Sequence, residues 1–170
     1  MEDKTIHNKK EKPTMYDLEK IAAIISMQYD LSLVPFFTCS KISVIRSSST
    51  KRIKYIYFGD KLLGTLRATD ERFVPTLFGA KYIMKKISNK LIVKVSSDAV
   101  KWVSRGRTVF CKHVIEVDEN IRPGEEVFVV DEHDNLIATG KAVLSGREIK
   151  EKKKGKAVKV RRGLREDQDL

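Results

Sequence analysis

The sequence has 170 residues, of which 34 are lysine or arginine and 23 are aspartate or glutamate, giving a formal net charge of +11. This length permits one or two domains, and a hydrophobic content of 41% is enough for a folded core. The charge predicts a polyanionic partner, with nucleic acid first and an anionic membrane surface second. The alternative is a lysine-rich surface that only keeps the protein soluble in a hot environment.

Several classes of protein are disfavoured by residue content. Cys39 and Cys111 each lie in a strand-like apolar run; they could pair, but buried thiols in a cytoplasmic protein are favoured. Together with three histidines they give no metal-ligand spacing, and we expect neither a metal nor a cofactor. The charged N-terminus lacks the apolar region of a secretory signal, and no run approaches the roughly 18 apolar residues of a membrane span. A soluble, cytoplasmic protein is expected.

Residues 15–88 predict a small α/β sandwich after a flexible polar tail at residues 1–14. Apolar residues recur at helical spacing from Met15 onward, and Thr14 with Asp17 approximates a capping box. A three-stranded antiparallel sheet follows, with Gly59-Asp60 as a hairpin turn, and a second helix completes the domain. The strands are expected at Cys39–Ser47, Arg52–Phe58 and Lys61–Thr69, and the second helix around Pro75–Ile87.

Residues 89–163 predict a small β-barrel, because several short strands alternate with only short helices. A helix at Asp98–Arg105 is expected to be capped by Ser97 and ended by Gly106, and Arg107–Asp118 reads as one long strand. Further turn and helix signals follow, before a closing strand at Lys156–Gly163 and a polar tail at residues 164–170. They are a type II turn at Pro123-Gly124, a hairpin turn at Asp134-Asn135 and a capping box from Ser145 to Glu148.

These segments resemble a known family. DAVKWVSRGRTVF, IRPGEEVFVVDEHDNLIATGKAVLSG and AVKVRRG are similar to the PUA domain, an RNA-binding module. AIISMQYD, KRIKYIYFGDKLLGTLRATDERF and TLFGAKYI resemble the domain that precedes the PUA domain in archaeosine tRNA-guanine transglycosylases. The resemblance implies an α+β chain with a pre-PUA domain at residues 15–88 and a PUA domain at residues 89–163. A second likeness is to translation factors of the malignant-T-cell-amplified type, which bind the small ribosomal subunit.

The resemblance does not extend to catalysis. Transglycosylases carry catalytic aspartates and a cysteine-rich zinc site on a β/α barrel of about 250 residues. A chain of 170 residues with two cysteines is not expected to accommodate that barrel. No nucleophile–base spacing or glycine-rich phosphate loop occurs either. Only RNA binding is carried over.

Two basic stretches supply the candidate site. From Ser145 to Arg165, ten lysines or arginines stand against two acids, which favours phosphate contacts over a merely solvated helix face. In Ser104–Arg107 a glycine allows close backbone approach and the arginines can grip phosphate, although a helix end with two exposed arginines is the alternative. In PUA domains the loop after the first helix and the following strand face RNA. The resulting candidates are Arg105, Gly106, Arg107, Phe110, Lys112, Arg147, Lys150, Lys159, Arg161 and Arg162.

Three ring side chains, Trp102, Phe110 and His113, invite a functional interpretation. Trp102 and Phe110 lie among basic residues and could stack on unpaired bases, but the helical position of Trp102 favours a place in the core. His113 has no partner at a catalytic spacing and is expected to be structural.

The sequence therefore predicts a non-catalytic protein that binds structured RNA, either tRNA or rRNA, through shape and phosphate contacts. Two further hypotheses stay open. One is a ribosome-associated translation factor that binds the small ribosomal subunit. The other is an accessory chain that supplies RNA binding to a separate tRNA-modifying enzyme. An enzyme in its own right is the least favoured.

Overall fold

The computed structural model describes residues 9–29, 41–87 and 89–164. They belong to two compact units, one ending at Phe78 and the other beginning at Gly79. The predicted fold class is confirmed, because a helix with an antiparallel sheet is followed by a nearly closed barrel. Cys39, residues 1–8 of the predicted N-terminal tail and residues 165–170 of the C-terminal tail lie outside the described residues.

The first unit packs one long helix against an antiparallel sheet whose strands run in the order β1-β2-β3-β4. The prediction of three strands was one short, and the predicted second helix begins later than expected. Pro75 lies in the fourth strand, where it pairs with Gly64 rather than entering the helix. The elements are α1 (Met15–Tyr29), β1 (Ile42–Arg46), β2 (Ile53–Phe58), β3 (Lys61–Leu66) and β4 (Phe73–Pro75). The second helix, α2 (Leu77–Met84), begins in this unit and continues past the boundary at Phe78 into the second.

The start of α1 is fixed to the sheet by a chain of polar contacts. The Asp17 amide donates to Thr14 Oγ1 at 3.2 Å and the Thr14 amide donates to Asp17 Oδ2 at 2.9 Å, which confirms the predicted cap. Arg46 Nη2 donates to the same carboxylate at 2.6 Å and also pairs with Glu11. Burial alone would raise the pKa of Asp17, but the hydrogen bonds from Thr14 and Arg46 outweigh it and lower the pKa. Glu11 pairs its backbone with Val44, so the residues before α1 cover the edge of β1.

The second unit is a six-stranded sheet in the order β6-β10-β9-β8-β5-β7, in which only β5 and β8 are parallel. Its two edge strands, β6 and β7, are separated in sequence by a single 3₁₀ turn, so the sheet must curl until its edges meet. The elements are β5 (Ile92–Val95), α3 (Ser97–Val103), β6 (Val109–Phe110), a 3₁₀ turn (Cys111–His113), β7 (Val114–Val117), β8 (Glu126–Val130), β9 (Leu136–Ala142), α4 (Gly146–Glu151) and β10 (Lys156–Gly163).

Two sequence predictions for this unit were wrong. The expected strand Arg107–Asp118 is broken at Cys111–His113, because its first part pairs with β10 and its last part with β5. The expected helix at Asp98–Arg105 begins at Ser97, with Ser96 rather than Ser97 as the capping residue.

The predicted turns and the second capping box are confirmed. Gly124 has φ 91° and the Glu125 amide donates to the Arg122 carbonyl at 3.2 Å, as a type II turn requires. Asp134 takes the left-handed conformation in the β8–β9 hairpin, with φ 62°. Ser145 and Glu148 make both hydrogen bonds of the capping box at the start of α4.

An ion pair links β10 to β8 across the outer surface of the barrel. Glu126 is only 2% exposed, and Arg161 Nε lies 3.0 and 2.9 Å from its two carboxylate oxygens. Arg161 Nη2 adds a third contact at 2.9 Å. Such a bidentate fork satisfies a carboxylate that burial would otherwise leave uncompensated.

We expect Arg161→Ala to lower the free energy of unfolding by about 2 kcal/mol, because it removes the three guanidinium contacts of the buried Glu126 carboxylate. The loss is smaller than for a fully buried pair, since the Arg161 side chain is 31% exposed. Lys159→Ala, on the same strand and opposite Lys141, should change stability by less than about 0.5 kcal/mol. Urea unfolding of both variants measures the difference. Equal effects would show that Arg161 is an ordinary surface cation.

Glu148 makes the stability of the barrel depend on acid pH. Hydrogen bonds from the Ser145 amide, Lys152 and the Ser145 hydroxyl lower its pKa from 4.5 to about 2. Because the pKa is depressed in the folded state, this stabilisation is present above pH 4.5 and is lost as the pH falls towards 2. Glu148→Gln should therefore melt below the wild type at neutral pH, and the gap should close over that range. Glu151→Gln is the control in the same helix, and a gap independent of pH would contradict the assignment.

Candidate nucleic-acid interface

The turn after α3 presents two arginines around one glycine. Gly106 has φ 80°, its amide donates to the Val103 carbonyl at 3.0 Å, and the Arg107 amide donates to the Trp102 carbonyl at 3.2 Å. This pair of bonds is the Schellman arrangement, which explains why glycine is needed where the helix ends. Arg105 and Arg107 are exposed on either side of it.

The end of β10 lies directly against this turn. A Cβ on Gly163 would be 2.3 Å from the Ser104 carbonyl oxygen and 2.7 Å from the Gly106 nitrogen. These are backbone atoms that cannot move aside as a flexible side chain would. The absence of a side chain at Gly163 therefore fixes the Arg105–Arg107 turn against the last strand of the barrel.

An apolar groove opens beside the turn. It has a volume of about 300 Å³, and its lining includes Trp102, Val103, Arg107, Val109, Phe110 and His113. Trp102 is 55% exposed and Phe110 is 42% exposed. The expectation that Trp102 lies in the core was wrong, because α3 buries Ala99 and Val103 instead and leaves the indole at the side of the helix. The ammonium of Lys101 lies 5.4 Å from the centroid of the indole ring.

His113 lines the groove, and a contact with Asp98 orients its ring. Its Nδ1 lies 3.1 Å from Asp98 Oδ2. Asp98 also accepts a hydrogen bond from Ser96, which with the nearby His113 lowers the pKa of Asp98. A carboxylate on Nδ1 favours the tautomer with its proton on that atom, leaving Nε2 as an acceptor. The expectation that His113 has no partner was wrong, because Asp98 contacts its Nδ1, and the ring also offers the groove a polar atom.

A basic loop follows α4 and lies next to Phe110. Lys156 pairs with Phe110 in the β10–β6 ladder, and the Cys111 amide donates to the Gly155 carbonyl at 3.0 Å. Lys156 therefore lies beside Phe110 at the groove, and the adjoining loop and turn carry further exposed lysines, namely Lys112, Lys153 and Lys154. Cys111 itself is a free, buried thiol whose pKa is raised by burial.

The ten predicted residues occupy three places. Arg105, Gly106, Arg107, Phe110 and Lys112 lie in the turn and strand around the groove. Arg147 and Lys150 are on α4, where Lys150 pairs with Glu119 and lowers the pKa of that carboxyl. Lys159, Arg161 and Arg162 are on β10, and the guanidinium of Arg161 is held by Glu126. Sequence reasoning counted Lys156 in the basic run but did not place it beside Phe110, because the pairing between β6 and β10 decides that position. It also missed that His113 lines the groove.

Other kinds of site find no support in the described residues. No group of three or more His, Cys, Asp or Glu side chains within residues 9–29, 41–87 and 89–164 could hold a metal ion. Among the helices of those same segments, none is long and apolar enough to cross a membrane.

Two family models match the chain and confirm the resemblance. The patch-forming domain C2 of tRNA-guanine transglycosylase matches residues 19–90, and the PUA domain matches residues 92–164. The tRNA-guanine(15) transglycosylase of Methanocaldococcus jannaschii is 38% identical over 151 residues, covering 88% of this chain and 23% of the relative. This chain spans about a quarter of the length of the curated relatives that it matches.

Solved structures show the same two-part architecture. A hypothetical protein from the hyperthermophilic archaeon Pyrococcus horikoshii OT3 has a TM-score of 0.73 at 27% identity, covering 92% of this chain and 95% of that protein. A conserved PUA domain protein from Thermoplasma acidophilum has a TM-score of 0.70 at 20% identity, covering 91% of this chain and 93% of that one, which shows the fold alone. The chain thus consists of a tRNA-guanine transglycosylase C2 domain followed by a PUA domain, and it is homologous to the C-terminal region of the archaeal tRNA-guanine(15) transglycosylases.

Proposed function

We propose that this chain binds structured RNA, with tRNA as the preferred class, through the groove of its PUA domain, and that it has no catalytic role of its own. The observation that carries the proposal is the pair of exposed aromatic rings, Trp102 and Phe110, in an apolar groove bordered by cations. Stacking of unpaired bases on aromatic rings, combined with phosphate contacts to lysine and arginine, is how proteins hold the unpaired parts of folded RNA.

The rim of the groove would contact the phosphates of the RNA, and the groove itself would hold a base. Phosphates would meet Arg105, Arg107, Lys112 and Lys156, which are all exposed. An unpaired base would enter between Trp102 and Phe110, with His113 Nε2 accepting a hydrogen bond from a base N–H. The phosphate contacts supply affinity without sequence preference, and the groove adds a requirement for an accessible base.

The choice of tRNA is supported by the relatives, whose name places their action on guanine 15 of tRNA. The proposal includes an accessory role, in which this chain supplies RNA binding to a separate tRNA-modifying enzyme. Its support is that the matched region corresponds to two non-catalytic C-terminal domains of those enzymes. Binding to the small ribosomal subunit as a translation factor stays a prediction that no comparison tests.

We expect Trp102→Leu and Phe110→Leu each to weaken binding of purified tRNA about tenfold, because each removes one stacking surface while keeping apolar bulk. Arg107→Ala should weaken binding and reduce the slope of log affinity against log salt by about 1. Ile115→Ala is the control, since Ile115 is 54% exposed on β7 and is not among the residues that line the groove. Fluorescence anisotropy over a salt series gives both quantities. A flat salt dependence, or heparin binding as tight as tRNA binding, would refute the proposal.

Crosslinking in cells followed by sequencing of the bound RNA identifies the partner. We expect tRNA reads to be enriched, and the Trp102→Leu variant to lose most of them while its abundance is unchanged. Enrichment of small-subunit rRNA would instead support the translation-factor hypothesis. Affinity purification of the tagged chain after RNase treatment tests the accessory role, which requires a transglycosylase-type enzyme to copurify.

A further inference from the structure

The sheet of the first unit has two unlike faces. On one face, the cross-strand row Val44, Ile56, Gly64 and Pro75 is entirely buried. The close approach of Phe73 to Gly64, where a Cβ would meet the ring at 2.5 Å, shows how tightly that face is packed. Most residues on the opposite face are half-buried instead, although Ile45, which lies opposite Tyr55, is buried. We call this opposite face the tyrosine face; it consists of Ser43, Tyr55, Tyr57, Leu62, Thr65 and Val74.

Strand pairing places these six side chains together. Tyr57 lies opposite Ser43 on β1 and opposite Leu62 on β3. Tyr55 lies opposite Thr65, which in turn lies opposite Val74. Since directly opposed residues project from the same side of a sheet, the two tyrosines occupy the middle of one surface.

The composition of the tyrosine face is unusual for an accessible surface. An antiparallel sheet with one face on the core ordinarily presents polar residues on the other. Here Tyr55, Tyr57, Leu62 and Val74 stay partly accessible, and Ser43 and Thr65 are the polar members of the face. A contiguous apolar surface that keeps contact with water favours an interaction site.

Lysines border the same rings. Lys10 Nζ lies 4.3 Å from the centroid of the Tyr57 ring, and Lys54 Nζ lies 5.0 Å from that of Tyr55. Lys10 is held there because its neighbour Glu11 pairs with Val44 through two backbone hydrogen bonds of 2.9 Å, and its ammonium also lies 3.4 Å from the exposed Asp60 carboxylate. The described residues up to Phe78 contain twelve lysines or arginines and six acids, so the unit as a whole attracts a polyanion.

We propose that the tyrosine face is a second RNA-binding surface, distinct from the groove of the PUA domain, on which unpaired bases stack. Tyr55 and Tyr57 each stack on one base. When a base takes the place of a lysine on the ring, the ammonium of Lys10 or Lys54 moves to the phosphate next to that base. The ammonium therefore keeps a partner, because the RNA supplies the phosphate together with the base. The same combination of sheet aromatics and cations binds single-stranded RNA in other four-stranded sheets.

The test compares variants of the full chain that differ only in stacking ability. Tyr55→Leu/Tyr57→Leu should bind bulk tRNA and a single-stranded oligoadenylate about tenfold more weakly than the wild type. Tyr55→Phe/Tyr57→Phe keeps both rings and should bind normally. Tyr16→Leu is the matched control, because Tyr16 is 73% exposed on α1 and is not part of the tyrosine face. Melting temperatures confirm that each variant is folded.

A second measurement does not depend on the variants folding. Ultraviolet crosslinking of the wild-type chain to oligoadenylate, read by mass spectrometry, should attach nucleotides to Tyr55 or Tyr57. Crosslinks confined to the PUA domain, or leucine variants with wild-type affinity, would overturn the tyrosine face and leave the groove standing. Equal losses in the leucine and phenylalanine variants would overturn stacking. If the groove variants Trp102→Leu and Phe110→Leu bind RNA normally while the tyrosine-to-leucine variant binds weakly, the proposed role of the groove is wrong and that of the tyrosine face is supported.

Discussion

The site depends on β10 lying closer to its neighbours than side chains would permit. A Cβ on Gly140 of β9 would be 2.6 Å from the Lys159 carbonyl oxygen, and one on Gly163 would be 2.3 Å from that of Ser104. Protein interiors are packed too densely to absorb such overlaps. Because both positions are glycine, β10 reaches the turn after α3 at one end and pairs with Phe110 at the other. One strand therefore sets the spacing between the arginine turn, the aromatic groove and the basic loop.

The net charge of +11 does not act uniformly, because acids remove particular cations from it. Glu126 holds Arg161, Glu119 holds Lys150, and Glu148 holds Lys152. The first of these pairs is structural, since its carboxylate is buried, while the others restrain surface side chains. None of these three ion pairs, which all lie in the described part of the second unit, involves the exposed lysines near Phe110. A count of charged residues along the sequence therefore overstates the role of β10 and α4 in the proposed RNA binding and understates the role of the groove rim.

What could be predicted from sequence was set by distance along the chain. The caps at Thr14 and Ser145 and the turn at Pro123-Gly124 depend on residues no more than four positions apart, so local chemistry decides them. The break in Arg107–Asp118 follows from barrel closure, which joins two strands that pair with different neighbours. The exposure of Trp102 could not be read from its helix either, since helical spacing alone does not say which side of α3 meets the barrel. The sequence shows that the last third of the chain is basic, but only the cross-strand contacts show which of its cations are paired with acids.

The two aromatic surfaces are best understood together. An exposed ring contributes little to folding, because stabilisation scales with the apolar area that leaves water. Binding of RNA to the two proposed surfaces would bury the exposed rings of Trp102 and Phe110 and the accessible part of the half-buried Tyr55 and Tyr57. The matched domains follow each other directly, ending at residue 90 and beginning at residue 92. Once one domain holds an RNA, a short connection keeps the other at high effective concentration, so two weak surfaces can give tight binding. On this proposal, an RNA that presents accessible bases to only one surface would gain none of this advantage, so the pair of surfaces would select for the shape of the RNA rather than for its sequence.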